Sequence, residues 1–518
     1  MTSLPRLSAA LVRDAAFRRG STAKLPDPAL LDLPEKAVQF GTGAFLRGFV
    51  DAFLDESNRQ GRFGGRVVAV ASTSSGRDEA LNEQDGLYTL LIEGMEQGAA
   101  HQERRIVASV SRALSAPDEW DAVCECARNP DLELVFSNTT EVGIVLDESD
   151  HGDATPPRSF PGKLARFLYE RARTFDYDVT KGLTVVPCEL IEENGERLCA
   201  IVLALAARWR LGGAFIDWIE TAVPFCNTLV DRIVPGTPPP DRLVELNRTL
   251  GYRDALITSC ERYRLFAIEG NEEIRVRLPF AADTDGLVIA EDIAPYRERK
   301  VRLLNGAHTA MVSVALLAGC RTVLQAMQHQ MVRRFVERLM LEEIAPSLDV
   351  PDAFAFARDV LDRFGNPHIQ HALLDITLQA TTKMRVRVLP SIVRHAKRTG
   401  QPPRMLSLGF AAHLFLLRHG PPPAVYEKAP TLPPDEQGER LKTLWRVHGD
   451  DDQSLARAAC GDVALWGTDL SRVPGFVSLV VDYLREIRRM GINGVLDALL
   501  TARRQGQGTH ARLSDMIS

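Results

Sequence analysis

Ala37-Val38-Gln39-Phe40-Gly41-Thr42-Gly43-Ala44-Phe45-Leu46-Arg47-Gly48-Phe49 is the stretch whose reading decides the fold. Its first four residues form a short β-rich run, two glycines follow around Thr42, and a helical pattern then runs from Val50 to Gln60. In a strand-turn-helix of this kind the glycines make the tight turn and let backbone N–H groups approach a pyrophosphate at the helix N-terminus. The usual third glycine is absent; Leu46 stands where it would allow close packing of helix on strand.

Working outward, three more β-rich runs follow: Arg66-Val67-Val68-Ala69-Val70, Leu132-Glu133-Leu134-Val135-Phe136 and Leu183-Thr184-Val185-Val186. Their alternation with helix-like stretches predicts a parallel sheet covered by helices. After Ala294-Pro295 strand signals nearly vanish, and Met311 to Met340 and Pro351 to Phe364 show helical periodicity. The expected fold is therefore an α/β Rossmann-type dinucleotide-binding domain with insertions over 1–290, then a mostly α-helical C-terminal domain over 291–518. Proline clusters at Thr237-Pro238-Pro239-Pro240 and from Gly420 to Pro434 read as loops, because helical patterns resume promptly.

Loops at the carboxyl ends of the strands are the expected ligand contacts. Gly41, Thr42, Gly43 and Ala44 belong to the first. Asn138, Thr139, Thr140 and Glu141 follow the third strand and are placed to hold ribose and nicotinamide. Pro187-Cys188-Glu189-Leu190 follows the fourth, with Glu189 its most interesting acid. The second strand ends Ala71-Ser72-Thr73-Ser74-Ser75-Gly76-Arg77, with no carboxylate for ribose hydroxyls, so this loop leaves NAD and NADP both open.

With 518 residues, 45% apolar and 25% charged, the chain can bury a sizeable core, and a net charge of -6 with scattered basic residues argues against a nucleic-acid partner. No apolar run of about 18 residues and no signal-like N-terminus is present, so a cytoplasmic protein without a membrane partner is expected. The eight cysteines fit neither a disulfide framework nor a Cys-x-x-Cys metal site, and no metal ligand set is expected. Cys188 has no neighbouring histidine and reads as structural.

Lys300-Val301-Arg302-Leu303-Leu304-Asn305-Gly306-Ala307-His308 places three chemically able side chains at i, i+5 and i+8, on one half of a helix surface. A half-buried lysine can take a proton from an alcohol while amide and imidazole donors hold the oxygen that changes charge. Pro295 suits the first turn of this helix.

The chain resembles the polyol-specific long-chain dehydrogenases, the family of mannitol dehydrogenase, fructuronate reductase and tagaturonate reductase. The resemblance rests on Gly41-x-Gly43-x-Phe45-x-Arg47, Gln84-Asp85-Gly86-Leu87-Tyr88-Thr89, Thr140-Glu141-x-Gly143, Val230-Asp231-Arg232-Ile233-x-Pro235, the lysine motif and Leu465-Trp466-Gly467-x-Asp469-Leu470. It implies hydride transfer with NAD, Lys300 as general base, Asn305 and His308 at the reacting oxygen, Asp231 as a substrate-binding acid, and Phe45 and Arg47 within the cofactor loop. Leu190 stands where mannitol-type members carry an amide, and Arg297 where they carry a glutamate relay. The Pro-Cys-Glu-Leu-Ile form is most similar to the tagaturonate reductase branch, which implies a sugar-acid substrate. Such a substrate needs a cation for its carboxylate. Arg264 and Lys383 are put forward, with Arg262, Arg385 and Arg387 also open. The readings that compete are a mannitol, arabinitol or fructuronate dehydrogenase and a catalytically silent nucleotide-binding sensor. Oligomeric state is left open.

Overall fold

The computed structural model describes residues 4–72, 77–139, 143–369, 371–422 and 431–501. It divides into two compact units, the first holding residues up to 94 and from 99 to 293, the second holding 95–98 and everything from Ala294 onward.

Among the described residues eleven strands build the first unit's sheets: β1 (Glu35–Phe40), β2 (Arg66–Ala71), β3 (Tyr88–Glu96), β4 (Ala99–Val107), β5 (Val110–Ser115), β6 (Leu134–Ser137), β7 (Thr184–Pro187), β8 (Thr228–Asp231), β9 (Thr258–Cys260), β10 (Leu265–Glu269) and β11 (Leu287–Ala290). The main sheet runs β5-β2-β1-β6-β7, with every neighbouring pair parallel. Phe40 of β1 lies opposite Val70 of β2 and Ser137 of β6. Every residue of β2 is buried, as a central parallel strand covered on both faces requires. Side chains alternate between two cores. Val38, Phe40, Val135 and Val185 pack with Phe160, Phe167 and Trp218, whereas Ala37, Phe136 and Val186 pack with Phe49, Phe53 and Phe266. The chain leaves β1 in one direction to β2 and returns on its other side to β6. Ligands bind at such a reversal of strand order, outside the carboxyl ends.

Two smaller sheets were not legible in the sequence. The β3–β4 hairpin joins β9, and its turn at Gln97 and Gly98 has φ of 52° and 78°, a primed turn made without the Asn-Gly signal. β10 pairs antiparallel with β8 and parallel with β11.

The second unit is helical. The helical pattern read as continuous from Met311 to Met340 is divided: Ala307–Leu317 ends before Gly319, whose φ is 92°, and the helices Val323–Gln328 and Gln330–Arg338 start at the caps Thr322 and His329. Ala307–Leu317 is buried nearly all round, as expected of a central helix. It is crossed by Arg404–His419 at Gly409, where a Cβ would stand 2.7 Å from the Ala310 carbonyl oxygen. Among the described residues three π-helical segments interrupt the α-helices, at Lys300–Gly306, Leu339–Ile344 and Met384–Val388. Among the described residues no helix is long and apolar enough to cross a membrane.

Candidate active site

Each unit carries a share of the expected residues. In the first, a cleft of about 820 Å3 opens at the carboxyl ends of β1, β2 and β6, lined by Gly41, Thr42, Gly43, Ser72, Asn138 and Thr139 among others. Gly41 has φ of 137°, and a Cβ there would press within 2.8 Å of Leu46 Cδ1 and 3.2 Å of the Asn138 carbonyl oxygen. The positive φ reserves this position for glycine, and the Leu46 side chain that replaces the usual third glycine packs close against it. A Cβ on Gly43 would meet no protein atom within 4 Å, so this position is open to a ligand.

Ala44, Phe45 and Arg47 do not line the cleft. Ala44 begins the helix Ala44–Gly48, and Phe45 stacks on Phe49 at 5.0 Å. Arg47 is turned inward: its guanidinium donates to Thr258 Oγ1 (3.1 Å) and to the Thr42 carbonyl, while Tyr88 donates to its backbone oxygen (2.7 Å). It braces the turn from behind. Thr140 and Glu141 lie outside the described residues.

Glu189, expected as a substrate contact, is engaged within the protein. Its buried carboxylate accepts from Ser137 Oγ (3.0 Å), Thr139 N (2.9 Å) and Thr139 Oγ1 (3.1 Å), so both oxygens are occupied in latching the loop after β6. Burial raises its pKa and these hydrogen bonds oppose the rise. Asn138 adds a second tie, donating Nδ2 to the Cys188 carbonyl (2.7 Å). Cys188 is fully buried, and burial pushes its thiol well above the usual range, in keeping with a structural thiol. Asp231 closes β8 as a buried residue opposite Leu265. Arg264, expected as a substrate contact, forms a bidentate pair with Glu56 (2.8 and 3.0 Å) over the Phe53 ring, which commits both of its Nη atoms to an internal carboxylate.

Sequence reading missed Arg158, Ser159 and Lys163, which also line the cleft. Ser159 caps the helix Phe160–Thr174, accepting from Gly162 N (3.0 Å), and Lys163 donates to the Arg158 carbonyl (2.7 Å). Ser159 followed by Pro161 was a legible helix start; nothing in sequence placed it at the cleft.

In the second unit, Lys300 opens the π-helical segment, Asn305 lies near its end and His308 stands in the first turn of the following α-helix. Hydrogen bonds of the i→i+5 kind put residues five apart one above the other, as residues four apart stand in an α-helix. The π-turn therefore aligns Lys300 with Asn305 more closely than an α-helix would. All three residues are half-buried. The His308 ring stacks on Phe364 (4.1 Å between centroids, 8°) and meets His371 edge-on at 5.2 Å. Burial, then the charges of His371, Arg363, Arg387 and Lys383, push its pKa well below the usual histidine value. His308 is a neutral imidazole at neutral pH. Among the described residues no cluster of three or more histidine, cysteine or carboxylate side chains is placed to hold a metal ion.

Residues 35–280 match the model of the mannitol dehydrogenase Rossmann domain, and residues 292–488 match that of the mannitol dehydrogenase C-terminal domain. The chain belongs to the mannitol dehydrogenase family. Its relatives include the altronate oxidoreductase of Bacillus subtilis (strain 168), 43% identical over 465 residues, covering 90% of this chain and 95% of that one. The altronate oxidoreductase of Klebsiella pneumoniae (strain 342) is 41% identical over 472 residues, covering 90% and 97%. Among solved structures of the same fold, Pseudomonas fluorescens mannitol 2-dehydrogenase, in a ternary complex with NAD and D-mannitol, has a TM-score of 0.62 at 24% identity, with 93% and 97% of the two chains covered. D-sorbitol dehydrogenase in substrate-free form has a TM-score of 0.73 at 21% identity, covering 95% and 100%. Within the mannitol dehydrogenase family frame, Leu190 is 63% exposed and has no hydrogen-bonding side-chain group to offer a reacting oxygen.

Proposed function

We propose that this member of the mannitol dehydrogenase family is an NAD-dependent oxidoreductase that interconverts altronate and tagaturonate, with Lys300 as proton acceptor. The observation that carries the reading is the likeness, over about nine-tenths of the chain, to altronate oxidoreductases at 41–43% identity. The aligned Lys300, Asn305 and His308 supply side chains suited to the chemistry.

The cleft fits a dinucleotide. It lies at the strand-order reversal, its volume is within the usual range for ligand sites, and Gly43 leaves open the space a Cβ would fill. Thr42 and Gly43 would present backbone N–H groups to the pyrophosphate, and Asn138 and Thr139, held by Cys188 and Glu189, would meet the ribose and nicotinamide. When bound, NAD+ accepts hydride from the alcohol carbon. Lys300 takes the hydroxyl proton as that hydride leaves, and returns it in reduction. Asn305 Nδ2 and neutral His308 donate to the oxygen as its charge develops.

A panel of altronate, tagaturonate, fructuronate, mannitol and arabinitol, followed at the nicotinamide absorbance, tests the assignment. Turnover of altronate and tagaturonate above all others is expected. Turnover of neutral polyols without altronate would overturn it, and binding of nicotinamide nucleotide without any turnover would favour a sensor.

A further inference from the structure

The sugar-acid reading requires a cation for the substrate carboxylate; Arg264 is paired with Glu56 and Arg262 with Asp285, and the second unit holds the candidates Lys383, Arg385 and Arg387. Resting on that reading, we propose that Arg387 is the residue that receives the carboxylate, and that it sets the preference for sugar acids over neutral sugars.

Arg387 belongs to the π-helical segment Met384–Val388, which is locked against the π-helical segment carrying Lys300 and Asn305. Arg302 Nη1 donates to the carbonyls of Val386 and Arg387 (3.1 Å to the latter). A Cβ on Gly306 would stand 3.0 Å from the Arg387 carbonyl oxygen, so the absence of a side chain there permits the approach. The Arg387 backbone is thereby fixed beside the turn that ends in Asn305 and Gly306.

Its side chain is half-buried, yet among the described residues the guanidinium makes no hydrogen bond and no ion pair. Of the neighbouring cations, Arg385 is exposed to solvent and most of the others are answered. Arg302 and Arg394 share Glu298, Lys383 donates to the Ile376 carbonyl (3.1 Å) and feels Asp435, and His371 feels Asp375. Asp435 is itself held by Thr381 N (3.0 Å) and Oγ1 (2.7 Å). Burial lowers the Arg387 pKa with no acid offsetting it, and its charge reaches both His308 and Lys383. A partly desolvated guanidinium without a carboxylate is costly in the free protein and is satisfied when an anionic ligand arrives. Its planar fork suits a carboxylate bidentately, whereas Lys383 adds only a point charge to the field.

The test compares kcat/KM for tagaturonate and for the neutral ketose tagatose, with NADH, in wild type, Arg387→Met, Arg387→Ala and Arg387→Lys. The wild type is expected to prefer tagaturonate strongly. Arg387→Met should lower the tagaturonate-to-tagatose ratio about 100-fold, Arg387→Lys should fall between, and guanidinium ion in the buffer should restore part of the loss in Arg387→Ala. Melting curves and NADH titration confirm that each variant is folded; if the methionine variant is not, the lysine variant decides. A ratio unchanged within about twofold in a wild type that needs the carboxylate overturns the role of Arg387 alone. A wild type indifferent to the carboxylate overturns this proposal together with the reading on which it rests.

Discussion

Lys300 and Glu189 show how differently two side chains of evident interest are used. Lys300 is the proposed proton acceptor, so Lys300→Ala should lower kcat/KM by roughly 100- to 10,000-fold while NADH affinity, measured by fluorescence titration, stays within about twofold. Unchanged turnover across the pH range would remove the lysine from the mechanism. Glu189 was legible as an acid at a strand end, but its true partners, Ser137 and Thr139, lie some fifty residues away in sequence and only folding brings them together. Glu189→Gln replaces an acceptor oxygen with an NH2 that faces donors. The unmade hydrogen bonds cost about 1–3 kcal/mol, and a weakened latch should raise the NADH dissociation constant without changing the proton-transfer step in the pH profile. An NADH affinity equal to wild type would separate Glu189 from the cofactor loop.

At the scale of elements, the strand-turn-helix around Gly41 was readable because it depends on local composition, and the structure places it where that reading put it. The π-turn was not readable. Its sequence, Lys300 to Gly306, has no composition that distinguishes it from an α-helix, and the register shift is supported by packing against Met384–Val388, far along the chain. The crossing at Gly409 is likewise tertiary. Gly409→Ala gains about 1 kcal/mol of helix propensity, but the added methyl meets the Ala310 backbone at 2.7 Å, and backbone cannot swing aside as a side-chain tip can. Overpacking of this kind costs about 1–3 kcal/mol, so the variant should melt at lower temperature than wild type. A higher melting temperature would mean that the two helices separate easily.

Across the molecule, the division into a parallel-sheet unit and a helical unit was legible because hydrophobic periodicity changes near Ala294. The pairing of β3, β4 and β9 was not, since β9 is only three residues long and its partner strand lies more than a hundred residues away. Global pH response also escapes sequence reading. Asp51, fully buried below the nucleotide turn, accepts weakly from Gln39 Nε2 (3.3 Å), while its Oδ1 and Gln39 Oε1 have no partner. Burial raises its pKa to about 7, with Gln39 and Arg47 opposing. Between about pH 4 and 7 the folded state keeps a proton that the unfolded state has lost, so stability falls as pH rises through this window, by up to about 1.4 kcal/mol per pH unit. Asp51→Asn removes that dependence and offers an N–H to Gln39 Oε1. Its melting temperature should exceed wild type at pH 8, with the gap closing toward pH 4; a gap independent of pH would contradict the raised pKa.

The central claim is that this dehydrogenase acts on a sugar acid. Its most direct measurement is the ratio of kcat/KM for tagaturonate to that for tagatose, with saturating NADH and the wild-type enzyme. A site that pairs with the carboxylate should favour tagaturonate by roughly 100-fold or more. Equal efficiency, or preference for the neutral ketose, would contradict the account.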